Sequence, residues 1–310
     1  MNHHFNNERH RRGASKRLIL LALTLALSVW TVSCAKIELP GAQNESTASS
    51  APASSAPVSS TVRVTFPEGL SAREIAQKLE DSGVCSADGF IEALQNGDFE
   101  QSFLAEIPDT LGVYLKLEGF LYPDTYDFYL DEAPEKVAAR FLNNFEKKLS
   151  ADLRAEIEEK DLNLYDVITL ASIIQEEAGD PAEMAMVSSV FINRLESPEF
   201  PKLQSDVTWF YYDRYIKPYI PEEEQKGYIA GYYTYERAGL PVGPITNPGM
   251  DAILSVINPD ETDYYYFLTD KTGKFYYSHT FEQHQKNWDE AKAVNAALAG
   301  QSAEPETASK

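Results

Sequence analysis

The chain has 310 residues, with 27 Lys plus Arg against 48 Asp plus Glu and a formal charge of −21. So acidic a protein repels a phosphate backbone, which excludes nucleic acid as its partner. A content of 43% hydrophobic and 12% aromatic residues excludes a disordered chain. Two cysteines without a CxxC pair give neither a disulfide framework nor a structural zinc site.

The charge is unevenly distributed. Residues 1–33 hold Arg9, Arg11, Arg12, Lys16 and Arg17 against Glu8, a net of +4, so the remainder carries −25. Residues 1–17 are therefore a basic leader, and the uncharged run Leu18 to Val32 that follows predicts a membrane anchor or lipoprotein signal over 18–35. Cys34 after Thr31-Val32-Ser33 resembles a lipobox, with Thr31 where Leu is usual. A lipidated Cys34 and an uncleaved membrane helix both remain open. Either one tethers the rest of the chain to the membrane on the extracytoplasmic side. Cys85 is then unpaired and reads as a small buried hydrophobe. Residues 36–61, rich in Ser, Ala, Pro and Thr, predict a disordered linker, and 299–310 a disordered tail.

The first folded module spans 62–105. Val62 to Phe66 alternates as a strand and is ended by Pro67-Glu68-Gly69. Ser71 and Glu74 predict a capping box for a helix with Ala72, Ile75, Ala76 and Leu79 inward. A second helix carries Phe90, Ile91 and Leu94 on one side. A strand followed by two short helices resembles a LysM-like βααβ module, a type that commonly binds N-acetylglucosamine glycans, and equally fits a purely structural small domain.

The second module spans 106–298. Glu118 to Leu130 predicts strand, turn, strand, and Pro134 opens a helix with Val137, Ala138, Phe141, Leu142 and Phe145 inward. Asn163 caps the next helix, with Asp166 in its first turn and Gly179 at its C′ position. Asp180-Pro181 starts another, with Met184, Val187, Val190, Phe191 and Leu195 as its stripe. At about 100° per residue, Glu177 falls at the border of the Asn163 helix's apolar face, whereas Glu176 points nearly opposite, toward solvent. A carboxyl at a core border and a helix C-terminus has a raised pKa, as a general acid at neutral pH needs. Geometry by itself also fits a partly exposed C-terminal glutamate. The tyrosine clusters at 211–212, 232–233, 264–266 and 276–277 suit the faces of sugar rings or a half-buried sheet. His279 and His284, without a nearby Cys, suggest no metal site.

Several blocks, in order over about 170 residues, resemble the endolytic murein transglycosylases of the YceG-like or MltG-like family. They are EGFLYPDTY (118–126), ASIIQEEAG (171–179), VFINRL (190–195), LQSDVT (203–208), YYTYERAGLPVGPITNPG (232–249) and SHTFEQHQKN (278–287). In that family the helix usually ends in Glu-x-Glu, and the second glutamate is catalytic. The resemblance thus implies Glu177 as the catalytic residue, with Gln175 in place of the first glutamate and Tyr233 where the family has Asn. It implies sugar-binding roles for Glu118, Gln204, Ser205, Asp206, Thr208, Tyr235 and Asn247, although Asn247-Pro248-Gly249 also reads as a turn that caps the next helix. No cofactor follows from it.

The expected fold is α+β: a small LysM-like module joined to a larger catalytic domain of helices and a mainly antiparallel sheet. The expected reaction is cleavage of MurNAc–GlcNAc bonds within peptidoglycan strands, giving 1,6-anhydroMurNAc ends. The expected partners are nascent peptidoglycan and the membrane-bound synthases that make it. A hydrolytic muramidase with Asp206 as second carboxylate and a non-catalytic wall-binding adaptor are the rival readings.

Overall fold

A computed structural model describes residues 60–301. The basic leader, the segment 18–35 with Cys34, and linker residues 36–59 lie outside the described residues, as does the tail from 302. Thr61 of the expected linker already opens a strand, and 299–301 of the expected tail still belong to the last helix. No helix among the described residues is long and apolar enough to cross a membrane.

The first strand, β1 (Thr61–Thr65), leads through a left-handed Gly69 into α1 (Ala72–Asp81) and α2 (Ala87–Asn96). The capping box forms as its local spacing predicts: the Ser71 hydroxyl accepts from Glu74 N, and Glu74 Oε2 accepts from Ser71 N at 2.9 Å. The four apolar positions expected on α1 are all buried. Because Ser71 is itself fully buried, Ser71→Ala is expected to lower stability by about 1–2 kcal/mol. A fall in the urea midpoint at unchanged slope would register this, and an unchanged midpoint would contradict it.

The partner of β1 is β2 (Thr125–Tyr129), antiparallel, with Thr61 opposite Tyr129 and Thr65 opposite Thr125. Residues 118–124 are turns rather than the first strand of a hairpin. Gly119 breaks the expected strand with its left-handed φ of +89°, and it passes so close to Pro244 that a Cβ would lie 2.5 Å from the proline Cβ. The β-α-α-β order is thus completed by residues well beyond 105, and the aromatic core is shared: Phe66 packs edge-on against Phe141 at 5.0 Å, and Phe103 against Phe145 at 4.7 Å. Cys85 is half-buried rather than fully buried, and burial pushes its thiol up to about 11.

Beyond β2 the chain is mostly helical. The helices are α3 (Pro134–Lys148), α4 (Ala151–Glu159), α5 (Leu164–Glu177), α6 (Pro181–Glu196), the short α7 (Asp206–Tyr211), α8 (Glu222–Tyr232) and α9 (Met250–Ile257). A second antiparallel ribbon, β3 (Tyr266–Thr269) and β4 (Phe275–Ser278), precedes α10 (Phe281–Gln301). Asn163 and Asp180 cap α5 and α6 as their side chains predict. Every residue of α5 from Leu164 to Ile174 is buried except Asp166, so it is the central helix, packed on α6 and α9. The chain is therefore a mixed α+β protein whose described sheets are two small antiparallel ribbons.

Candidate active site

The site is built where α5 ends. Glu177 is the last residue of that helix, and Ala178 behind it is extended. Gly179 sits at C′ as expected but is not left-handed, so the chain leaves α5 without the usual glycine reversal. The Glu177 carboxyl stands in an open cavity of about 340 Å³, shared with Arg194, Gln204, Asp206 and the β3 residues Phe267 to Thr269. Burial raises its pKa, and the nearby Asp206 charge raises it further. Two groups oppose this rise: the Ser205 hydroxyl, which donates to Glu177 Oε1 at 2.6 Å, and the Arg194 charge.

Ser205 holds the N-cap position of α7, yet its side chain makes no cap hydrogen bond because its hydroxyl is directed to Glu177. The loop that presents it is fixed by buried threonines. Ser205 N donates to Thr234 Oγ1 at 3.1 Å, and the Thr208 hydroxyl donates to Ser205 O at 2.9 Å. Gln204 adopts φ +52°, a conformation uncommon for a residue with a side chain, and its N–H is held by Thr234 O at 3.2 Å. Tyr235, partly exposed at the rim, hydrogen-bonds to Asp206, and burial together with that carboxylate pushes its phenol up to about 12.

The expected sugar-binding residues therefore separate into two groups. Gln204 and Asp206 line the cavity with Glu177; Ser205 touches Glu177, Tyr235 reaches Asp206, and Thr208 holds the loop. Glu118 and Asn247 lie elsewhere, at 1% and 0% exposure. The Glu118 carboxyl oxygens lie within hydrogen-bond reach of Ala72 N (2.9 Å), Tyr211 Oη (3.0 Å) and Asn247 Nδ2 (2.9 Å). Asn247 Oδ1 accepts from Leu121 N at 2.8 Å. These two side chains tie α1, α7 and two loops together, and their polar atoms face protein rather than the cavity.

Two residues were not anticipated from sequence. Arg194, only 9% exposed, donates from Nε to Tyr265 O at 2.7 Å and from Nη1 to Leu203 O, which joins α6 to the Ser205 loop and to β3. Its signal was a single Arg placed three residues after Phe191, on the apolar stripe of α6. Thr234 carried no local signal, since its partners Ser205 and Thr208 lie 29 and 26 residues upstream.

Glu176 is exposed as a residue, as the helix angle predicts, but its carboxyl end lies over the Gly69 turn, where it is partly covered and bonds Thr246. Partial burial, with Glu74 and Glu177 nearby, pushes it up to about 7. Of the tyrosines, Tyr211, Tyr212 and Tyr232 are buried in helical segments rather than in a sheet, while 264–266 are half-buried. His279 pairs with the exposed Asp263 at 2.9 Å.

Fold and site together define an α+β protein with a half-buried carboxyl at the end of α5, presented to an open cleft beside a hydrogen-bonded serine loop. The chain belongs to the YceG-like family, whose model matches residues 40–290. It is 31% identical over 232 residues to an endolytic murein transglycosylase of Bacillus subtilis (strain 168), a match covering 72% of this chain and 63% of that protein. It is 30% identical over 253 residues to an endolytic murein transglycosylase of Streptococcus pneumoniae serotype 2 (strain D39), covering 76% of this chain and 45% of that one. The chain thus spans less than two thirds of the length of either relative. A crystal structure of a putative yceG-like protein from Listeria monocytogenes superposes with a TM-score of 0.62 at 29% identity, covering 72% of this chain and 75% of that one.

Proposed function

We propose that the chain is an endolytic lytic transglycosylase that cleaves MurNAc-β-1,4-GlcNAc bonds within peptidoglycan strands, with Glu177 as its only acid and base. The observation that carries this reading is the Glu177 carboxyl, raised in pKa by burial and held by Ser205 at 2.6 Å inside the cavity. The protonated carboxyl gives its proton to the glycosidic oxygen as the bond from that oxygen to C1 breaks. The resulting carboxylate then takes the proton of the MurNAc C6 hydroxyl while that oxygen attacks C1. Glu177 is returned to its acid form, no water is consumed, and the product end is 1,6-anhydroMurNAc. The nucleophile belongs to the substrate and is already near C1, so effective molarity replaces an enzyme nucleophile.

Asp206 in the same cavity supports a second reading, a hydrolytic muramidase in which that carboxylate directs a water. Mass analysis of the products separates the two: anhydro ends are lighter than reducing ends by one water. Reducing MurNAc ends as the main product would overturn the transglycosylase reading.

Under the proposal, Glu177 must be protonated in the free enzyme, so the alkaline limb of the kcat/KM–pH profile reports its pKa. Ser205 stabilises the carboxylate. Ser205→Ala is therefore expected to move that limb upward by about one pH unit. An unmoved or downward-shifted limb would show that the 2.6 Å contact does not tune the acid.

The β1–α1–α2–β2 order supports a LysM-like glycan-binding role for the first module. The basic leader and the uncharged run after it support a membrane-tethered body on the extracytoplasmic side, where peptidoglycan and its membrane-bound synthases are the partners.

A further inference from the structure

The catalytic cavity has an aromatic continuation. Arg194, in its wall, lies under the Tyr266 ring at 5.7 Å. Tyr266 stacks on His284 at 5.3 Å and contacts Phe281 at 6.0 Å, and Phe200 meets it edge-on at 5.8 Å. Phe281 is 58% exposed, and Trp288, seven residues further along α10, is 59% exposed. Seven residues are about two turns, so Trp288 follows Phe281 on the same flank of the helix about 10 Å on. Single exposed aromatics need no explanation, but this series is continuous with a cavity. His284 belongs to it as a flat ring: burial and the Arg194 charge lower its pKa, and its buried Nδ1 has no protein partner.

We propose that Tyr266, His284, Phe281 and Trp288 form a binding ledge on which the sugar rings of the strand stack beyond the pair held at Glu177. The occupant is a run of uncharged pyranose rings, whose apolar faces match aromatic faces and whose edges carry hydroxyls. Exposed Glu282, Gln285 and Lys286 interleave the aromatic positions on α10 and suit hydroxyl partners better than the apolar core of a protein interface. The ledge rests on the glycan reading of the site. It adds the prediction that affinity grows with strand length, because each further ring adds a contact on α10.

The test measures binding of purified uncrosslinked peptidoglycan strands, long and short, to the full-length Glu177→Gln protein, alongside product analysis of the unsubstituted enzyme. Phe281→Ala combined with Trp288→Ala is expected to shrink the affinity advantage of long over short strands about tenfold, and Phe281→Tyr with Trp288→Phe is expected to keep it. An advantage unchanged in the alanine pair, while cleavage still gives anhydro ends, overturns the ledge and leaves the reaction standing. The converse, a lost advantage with reducing ends as product, supports the ledge and overturns the transglycosylase. Loss of a dimer by the alanine pair at unchanged glycan affinity would assign the patch to self-association and overturn the ledge.

Discussion

Glu177→Gln is expected to slow strand cleavage by roughly 10³-fold or more while leaving the fold and glycan binding in place. The amide is isosteric with the carboxyl, and its oxygen can still accept from the Ser205 hydroxyl that now lies 2.6 Å away. What it cannot do is release a proton to the leaving oxygen or take one from the C6 hydroxyl, so both halves of the proposed reaction fail together. Asp206, which accepts a hydrogen bond from Tyr235, has no proton-transfer role in this reaction; activity kept in Glu177→Gln would instead favour the hydrolytic reading. Glu176→Gln provides the control, because that carboxyl faces the Gly69 turn and Thr246, and it is expected to cleave like the unsubstituted protein. A Glu177→Gln protein within about tenfold of normal activity would remove the single acid/base from the account. A wall-binding adaptor predicts the opposite pattern, no cleavage by either protein and equal binding by both.

The second large effect is on stability. Glu118→Ala is expected to lower stability by about 3–5 kcal/mol, because it strands the Ala72 N–H, the Asn247 amide and the Tyr211 hydroxyl in a buried site. Glu118→Gln is the informative companion. Burial pushes the Glu118 carboxyl up to about 8, against three hydrogen-bond donors that pull the other way. A carboxyl raised in the folded state stabilises fully below its ordinary value of 4.5 and loses that contribution as pH climbs toward about 8, by roughly 1.4 kcal/mol per unit. Glutamine keeps the geometry, with its amide donating to the Tyr211 oxygen, and has no such slope. Urea unfolding across this range should therefore show the unsubstituted protein losing ground to Glu118→Gln as pH rises. Parallel curves would mean that Glu118 is ionised in the fold.

These two glutamates illustrate what a linear sequence can and cannot display. The position of Glu177 was legible because the α5 periodicity fixes the angle it makes on one helix, whereas the catalytic role proposed for it comes from the family blocks. The capping box at Ser71 and the Asn163 and Asp180 caps were legible for the same local reason. Glu118 could be marked by resemblance but not placed. Its partners lie 46, 93 and 129 positions away, and no periodicity reports contacts of that range. Of the strand, turn, strand expected over 118–130, the first strand failed at Gly119, whose left-handed φ accompanies a close approach to Pro244 from a distant loop. Tyr211 and Tyr232 read as strand formers by composition, yet the buried faces of α7 and α8 hold them as core.

The central claim is that the substrate's own hydroxyl, rather than water, attacks C1 under the control of Glu177. Cleavage of strands in water enriched in heavy oxygen tests it most directly, with the new ends read by mass spectrometry. New MurNAc ends are expected to lack one water and to carry no heavy oxygen, and their appearance is expected to be lost in Glu177→Gln. Reducing ends that contain heavy oxygen would contradict the claim and assign the cavity to a hydrolase.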